Sequence, residues 1–170
     1  MTPEQLVREA LEAMHFAYVP YSGFTVGAAL LSVRFVGEFG LLRGIGMGIF
    51  HAVSAFCNGG FDLMGTPDDP FCSLVGYAGD PLVSLTIMAL IVIGGLGFFV
   101  WSDVWDRKCF KRLTLHSKLV LTTSGALLAG GFVLTLLFEW SNPATLGGMT
   151  LPHKLLAAAF QSVTLRTAGF

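Results

Sequence analysis

The sequence predicts an all-α membrane protein, built from repeats of a helix, a short re-entrant helix with its loop, and a further helix, behind a short soluble-type helix-turn-strand head. Three observations carry that prediction. Of the 170 residues, 54% are hydrophobic and 12% charged, with a mean hydropathy of +0.70, which is about half the charge of an ordinary soluble domain. Two runs, Pro81 to Ser102 and Leu119 to Phe138, carry no charge and are each long enough to cross a bilayer. Finally, the stretch Phe50 to Phe61, FHAVSAFCNGGF, is echoed by Phe160 to Phe170, FQSVTLRTAGF. Each opens on an aromatic, passes a valine and a hydroxyl residue, and closes on polar, small, glycine, phenylalanine. A net charge of -1 and the lack of a basic stripe with interleaved aromatics exclude a nucleic-acid partner.

In chain order, Thr2, Pro3 and Glu4 start a helix as cap, first-turn proline and first-turn acid. Leu6, Ala10, Ala13 and Met14 follow at amphipathic spacing. A turn over Tyr18 to Phe24 leads to a strand-like Thr25 to Leu31. The segment Ala17 to Leu31, AYVPYSGFTVGAALL, resembles the opening of the small zinc-dependent cytidine deaminases. That chemistry requires a histidine or cysteine ligand, a proton-shuttling glutamate and a Pro-Cys-x-x-Cys pair. His51 has no glutamate two residues on and no two cysteines stand three apart, so no deaminase activity is expected. Residues 1–31 are therefore set apart as a deaminase-like start joined to a membrane segment over residues 32–170.

From Ser32 to Arg43 the sequence is mixed. Leu30 to Leu42 is short and carries Arg34 and Glu38, so no intact span is expected before the first echoed segment. Gly44, Gly46 and Gly48 lack the strand and glycine spacing of a phosphate loop and suggest loose packing instead. A short helix over Phe50 to Phe56 then enters the turn Asn58-Gly59-Gly60-Phe61. The loop Asp62 to Asp80 holds Asp62, Asp68, Asp69 and Asp80 and no base.

The span Pro81 to Ser102 follows, with Gly94, Gly95 and Gly97 as a smooth patch for close helix approach and Trp101 and Trp105 at an interface. The loop Asp103 to Lys118 holds Arg107, Lys108, Lys111, Arg112 and Lys118, half of the ten basic residues, and so faces the cytoplasm. The acidic loop is then outside. The span Leu119 to Phe138 returns the chain to the outer face, where Lys154 to Val163 forms a helix too short to cross. It turns back at Thr167-Ala168-Gly169-Phe170.

A helical turn running into a glycine-ended loop gathers backbone carbonyls around one point, where they replace the water of a dehydrated cation. Potassium filters do this with a Thr-Val-Gly-Tyr-Gly loop, and both turns are degenerate versions of its first four positions. Residues 50–61 and 154–170 are accordingly pore-loop candidates. Ser54 and Thr164 are expected to bond back to their own helices. Arg166 is expected to bond loop carbonyls or an acid of a neighbouring repeat. His51 and His153 are expected at the interface, and four separated histidines make no metal site. The cysteines 57, 72 and 109 read mostly as unpaired thiols, with a Cys57 to Cys72 bridge as the alternative. No cofactor is expected.

The ordered segments HAVSAFCNGGFDLMG, DPLVSLTIMALIVIGGLGF, LTLHSKLVLTT, EWSNPATLGGM and FQSVTLRTAGF carry a second resemblance over residues 31–170. They are similar to the potassium-translocating subunit of the Ktr/Trk/HKT superfamily, and to its bacterial Ktr type in particular. The resemblance implies four helix, pore-loop, helix repeats around one ion path in the plasma membrane, of which this chain holds an incomplete set. It places Asn58, Gly59 and Gly60 in the second filter segment and Thr167, Ala168 and Gly169 in the third, with the potassium ion as substrate. It further implies a homodimer in the complete protein and a cytoplasmic nucleotide-binding regulatory subunit against the basic loop Arg107 to Arg112, for which topology-setting charge near anionic lipid is the alternative reading. Two other expectations compete: an inert or partner-inserting membrane piece of a chimeric gene, and a cytidine deaminase remnant. The isolated chain is expected to be inactive.

Overall fold

The computed structural model describes residues 24–67, 70 and 72–170. The helix and turn expected over residues 2–23 lie outside these, as do Asp68, Asp69 and Phe71. The described residues form six α-helices and no strand: α1 over 24–39, α2 Leu41–Phe56, α3 Pro81–Leu96, α4 Phe98–Arg107, α5 Leu115–Glu139 and α6 Leu151–Thr164. The all-α architecture matches the expectation, but four local expectations need correction.

The segment Thr25 to Leu31 is helix rather than strand. Phe24, Ala28, Leu31, Phe35 and Phe39 recur at helical spacing, and Leu31 and Phe35 are fully buried. Tertiary packing on that stripe outweighs the β-branched Thr25 and Val26. The same helix continues to residue 39 but is not among the helices long and apolar enough to cross a membrane, in keeping with the expectation of no intact span there. Gly40, at φ 82, ends it and reverses the chain into α2.

The second correction concerns α2, which begins at Leu41 rather than Phe50. Its glycines form a tight seam, not a loose one. A Cβ at Gly44 would lie 2.5 Å from the Val36 backbone, and one at Gly48 would lie 2.3 Å from Ser32 Oγ. Without side chains between them, α1 and α2 approach to backbone contact, the usual device of helix pairs packed in lipid.

The far end of α1 is tied to the acidic loop. Arg34 Nε donates to Asp80 at 2.6 Å and its Nη1 to Glu38 at 3.2 Å, while the Tyr77 hydroxyl donates to Glu38 at 2.9 Å. Burial, then the Glu38 bond, pushes the Tyr77 phenol up to about 12. Burial works to raise the Asp80 carboxyl, but the bonds from Arg34 and from the Val83 and Leu82 amides outweigh it and hold it below the usual range. Those amide bonds also make Asp80 the N-cap of α3, with Pro81 in the first turn.

The third correction is the span expected over Pro81 to Ser102, which is broken. Helix α3 stops at Leu96, Gly97 takes φ 83, and α4 leaves at 92°. A left-handed φ is a glycine conformation. The Trp101 indole N–H stabilises the break by donating to the Ile93 carbonyl at 2.8 Å. Hydropathy does not register this, because the run stays free of charge across the bend as far as Ser102.

Helix α4 is fastened to the next helix by Asp103, which accepts from the Thr114 amide and hydroxyl, each at 2.8 Å, and pairs with Arg107 at 2.7 Å. Thr114 caps α5, which therefore starts at Leu115 rather than Leu119, the fourth correction. With 25 residues it is about 37 Å long. Its most apolar window has a mean hydropathy of 1.9 and no buried residue, so it presents its surface outward. By length and composition α5 can cross a membrane, and the bent α3 and α4 pair forms a second crossing if it is one span. Helix α6 lies against α5, with Ser162 Oγ donating to the Leu128 carbonyl at 2.7 Å.

Candidate functional site

The two echoed turns, 109 residues apart at Asn58 and Thr167, meet in the structure. Their closest approach is backbone on backbone: a Cβ at Gly60 would lie 1.8 Å from the Ala168 carbonyl oxygen. Gly60 also has φ 67, so both its conformation and its surroundings require glycine. Asn58 and Thr167, the corresponding first residues of the turns, are hydrogen-bonded side chain to side chain at 2.8 Å.

Each turn ends a short helix, and the two helices end in related ways. In the first, the Asn58 amide donates to Ala55 and the Gly59 amide to Ser54, at 3.1 and 2.8 Å. With Asn58 left-handed at φ 54, this is a Schellman closure of α2. In the second, the Gly169 amide donates to Thr164 at 2.9 Å. The closing bond spans the same interval in both. Because the second copy is one residue shorter, the bond reaches Gly59 in the first turn and Gly169, one position further along, in the second.

Both ends rest on the last turns of α3. The Phe56 carbonyl oxygen stands 1.8 Å from where a Gly94 Cβ would be, and Arg166 Nη2 stands 2.9 Å from where a Gly95 Cβ would be. The Asn58 amide is satisfied when its Nδ2 donates to the Ile91 carbonyl at 3.2 Å and to Thr167 Oγ1 at 2.8 Å, and its Oδ1 accepts from the Gly95 amide at 3.3 Å. The Asn58 side chain is thus an anchor to α3. The glycine patch read from sequence receives both turns.

Three side-chain expectations are corrected here. Thr164 Oγ1 does not bond back to its helix; it accepts from the Phe170 amide at 2.7 Å. Ser54 Oγ is buried with no hydrogen-bond partner among the described residues. Among the described residues Arg166 bonds no loop carbonyl or acid and its Nη1 is buried without a partner; the expected acid of a neighbouring repeat is untested. His51 is not interfacial but fully buried, with Nδ1 donating to the Met47 carbonyl at 2.7 Å and Nε2 accepting from the Leu63 amide at 3.2 Å. That pair of bonds fixes its tautomer and anchors the chain just past the first turn. His153 is exposed. The cysteines 57, 72 and 109 are free, so the alternative Cys57 to Cys72 bridge is not formed.

Ile91 and His51 were not read from sequence as supports, and Gly95 was read only as a place of close approach. Their signals are a buried histidine on the apolar side of α2 and glycines one helical turn before a break, and both are ambiguous without the packing.

Two short helices that end head to head on glycine turns, over a broken helix and beside a long outward-facing one, define a pore-loop membrane protein. The chain matches the family model described as cation transport protein, TrkH, over residues 12–170. It belongs to that family. The match includes all of Ala17 to Leu31, the segment that resembles a deaminase opening. The chain is 46% identical over 145 residues to the potassium/sodium uptake protein NtpJ of Enterococcus hirae, a match that covers 85% of this chain and 31% of that protein. It is 44% identical over 145 residues to the Ktr system potassium uptake protein B of Bacillus subtilis, with the same coverage. To the protein of the same name from Vibrio alginolyticus it is 44% identical over 147 residues. The chain therefore spans about a third of the length of these relatives.

Proposed function

We propose that this chain contributes two filter turns to a potassium path of the Ktr type, in a multi-pass protein of the plasma membrane. The observation that carries the proposal is the backbone contact of Gly60 with Ala168, between two glycine turns that end short helices. Asn58, Gly59 and Gly60 would supply carbonyls from one side and Thr167, Ala168 and Gly169 from the other. Carbonyl dipoles replace the hydration shell of the cation without covalent chemistry. The C-terminal ends of α2 and α6 add the negative end of two helix dipoles at the same place. Names of the relatives as potassium uptake proteins support potassium as the ion.

The remaining walls of the path would come from further repeats, and the complete protein would pair as a homodimer. A cytoplasmic nucleotide-binding regulator would sit against the basic residues between Arg107 and Lys118. In this reading the protein is a transporter and not an enzyme, and it uses no cofactor.

The test exchanges the matching 145 residues of the Bacillus subtilis relative for those of this chain and measures rubidium uptake in cells lacking other potassium uptake. Saturable uptake that potassium competes away is the expected result. A correctly inserted exchange protein with no uptake would overturn the proposal.

A further inference from the structure

Arg166 has no role in the reading above, yet it stands at the junction of three helix ends. Helix α2 ends on Gly94, α6 ends at Thr164 just before Arg166, and α3 itself ends at Leu96 beside the break. Each helix C-terminus leaves carbonyls without an intrahelical partner and a partial negative charge. In α3 the Trp101 indole takes the Ile93 carbonyl. The guanidinium lies against Gly95 with Nη1 buried and without a partner among the described residues, beside the Asn58 amide that also bonds Gly95. A cation at this position is stabilised by the three negative helix ends. It also opposes their attraction for a second, mobile cation at the turns.

We propose that Arg166 is a positioning residue of the cation path: seated on Gly95, it holds the second turn on α3 and keeps the converging helix ends from binding the transported cation too tightly. A path conducts only if its ion binds weakly enough to leave. This inference rests on the potassium-path proposal and concerns a side chain that does not touch the ion.

The experiment uses the exchange protein described above, with its uptake measured first. If the unsubstituted exchange is inactive, the transport reading fails and not this one alone. Against an active exchange, Arg166→Gln is expected to lower the half-saturating rubidium concentration at least threefold, lower the maximal rate, and make sodium a better competitor. Arg166→Lys is expected to restore all three toward the starting values. Gly95→Ala keeps the charge but displaces the flexible end of the arginine, and is expected to shift half-saturation in the same direction by a smaller factor. If Arg166→Gln does not insert, Gly95→Ala decides alone. Unchanged half-saturation and sodium competition in whichever inserted variants are measured would overturn the proposal, as would a loss of maximal rate that lysine does not rescue.

Discussion

The two turns share a pattern but are held in different ways. The first, after α2, is held from outside: its left-handed Asn58 hands its side chain to the Ile91 carbonyl and the Gly95 amide of α3, while the Ser54 hydroxyl has no partner among the described residues. The second, after α6, shares the closing carbonyl bond, Thr164 to Gly169 as Ser54 to Gly59 in the first, and adds one of its own: the Thr164 hydroxyl accepts the Phe170 amide. One residue of length produces the difference, because it decides which backbone group the closing bond reaches. Two segments of one pattern therefore end in a turn whose polar side chain anchors to α3 and a turn whose own hydroxyl closes on its last amide.

The sharpest way to break the comparison is at the shared contact. Gly60→Ala would put a methyl 1.8 Å from the Ala168 oxygen at φ 67, and rubidium uptake by the exchange protein is expected to fall to background. Gly169→Ala meets no atom within 4 Å and suffers only its left-handed φ of 77, a cost of about 1–2 kcal/mol. Its loss is expected to stay near tenfold. Equal losses at the two glycines would show that strain, rather than the approach of the turns, sets the requirement.

A smaller effect separates external from internal support. Gly94→Ala would place a methyl 1.8 Å from the Phe56 carbonyl oxygen, which is backbone and has little room to yield. The expected result is a lower thermal midpoint of the detergent-solubilised chain. An unchanged midpoint would mean that α3 is not the support of the first turn.

Next come the two hydroxyls. Thr164→Val leaves the Phe170 amide without its partner, at a cost of about 1–3 kcal/mol. Ser54→Ala removes a buried hydroxyl that bonds nothing among the described residues and is expected to be neutral or slightly stabilising in the same thermal measurement. The reverse order would sink the distinction between the turns.

The smallest expected effect lies away from both turns, at the outer tie. The folded Asp80 carboxyl titrates below its ordinary value of about 3.9, so its stabilisation is complete above that value and is lost as pH falls through the lowered one. Tyr77 has the opposite sign. Its contribution is full below about 10 and is lost as pH rises through about 12. Asp80→Asn should lower stability across the middle of the profile and flatten its acid limb, and Tyr77→Phe should lower the middle and flatten the alkaline limb.

Much of the candidate site was legible because repetition is visible in sequence. The echo of residues 50–61 in residues 160–170 identified both turns, and the glycine patch of α3 was read correctly as a place of close approach. What failed did so for identifiable reasons. A short run with β-branched residues near its start looked like a strand over Thr25 to Leu31, although Ala28, Leu31 and Phe35 already carried a helical stripe. A charge-free run read as one span from Pro81 to Ser102, since hydropathy counts composition and Gly97 contributes almost nothing to it. The buried His51 looked interfacial because one polar residue gives no sign of the amide 12 residues away that it accepts.

By itself the sequence determined the class: too little charge for a soluble domain, apolar runs of spanning length, and two glycine-ended turns, all consequences of local composition and spacing. Only the tertiary structure decided that the turns touch at Gly60 and Ala168, that Asn58 points into α3, and that Arg166 sits where three helix ends converge. Those facts depend on residues distant in the chain approaching closely. Whether a hydroxyl or guanidinium finds a partner is settled by what the fold places beside it.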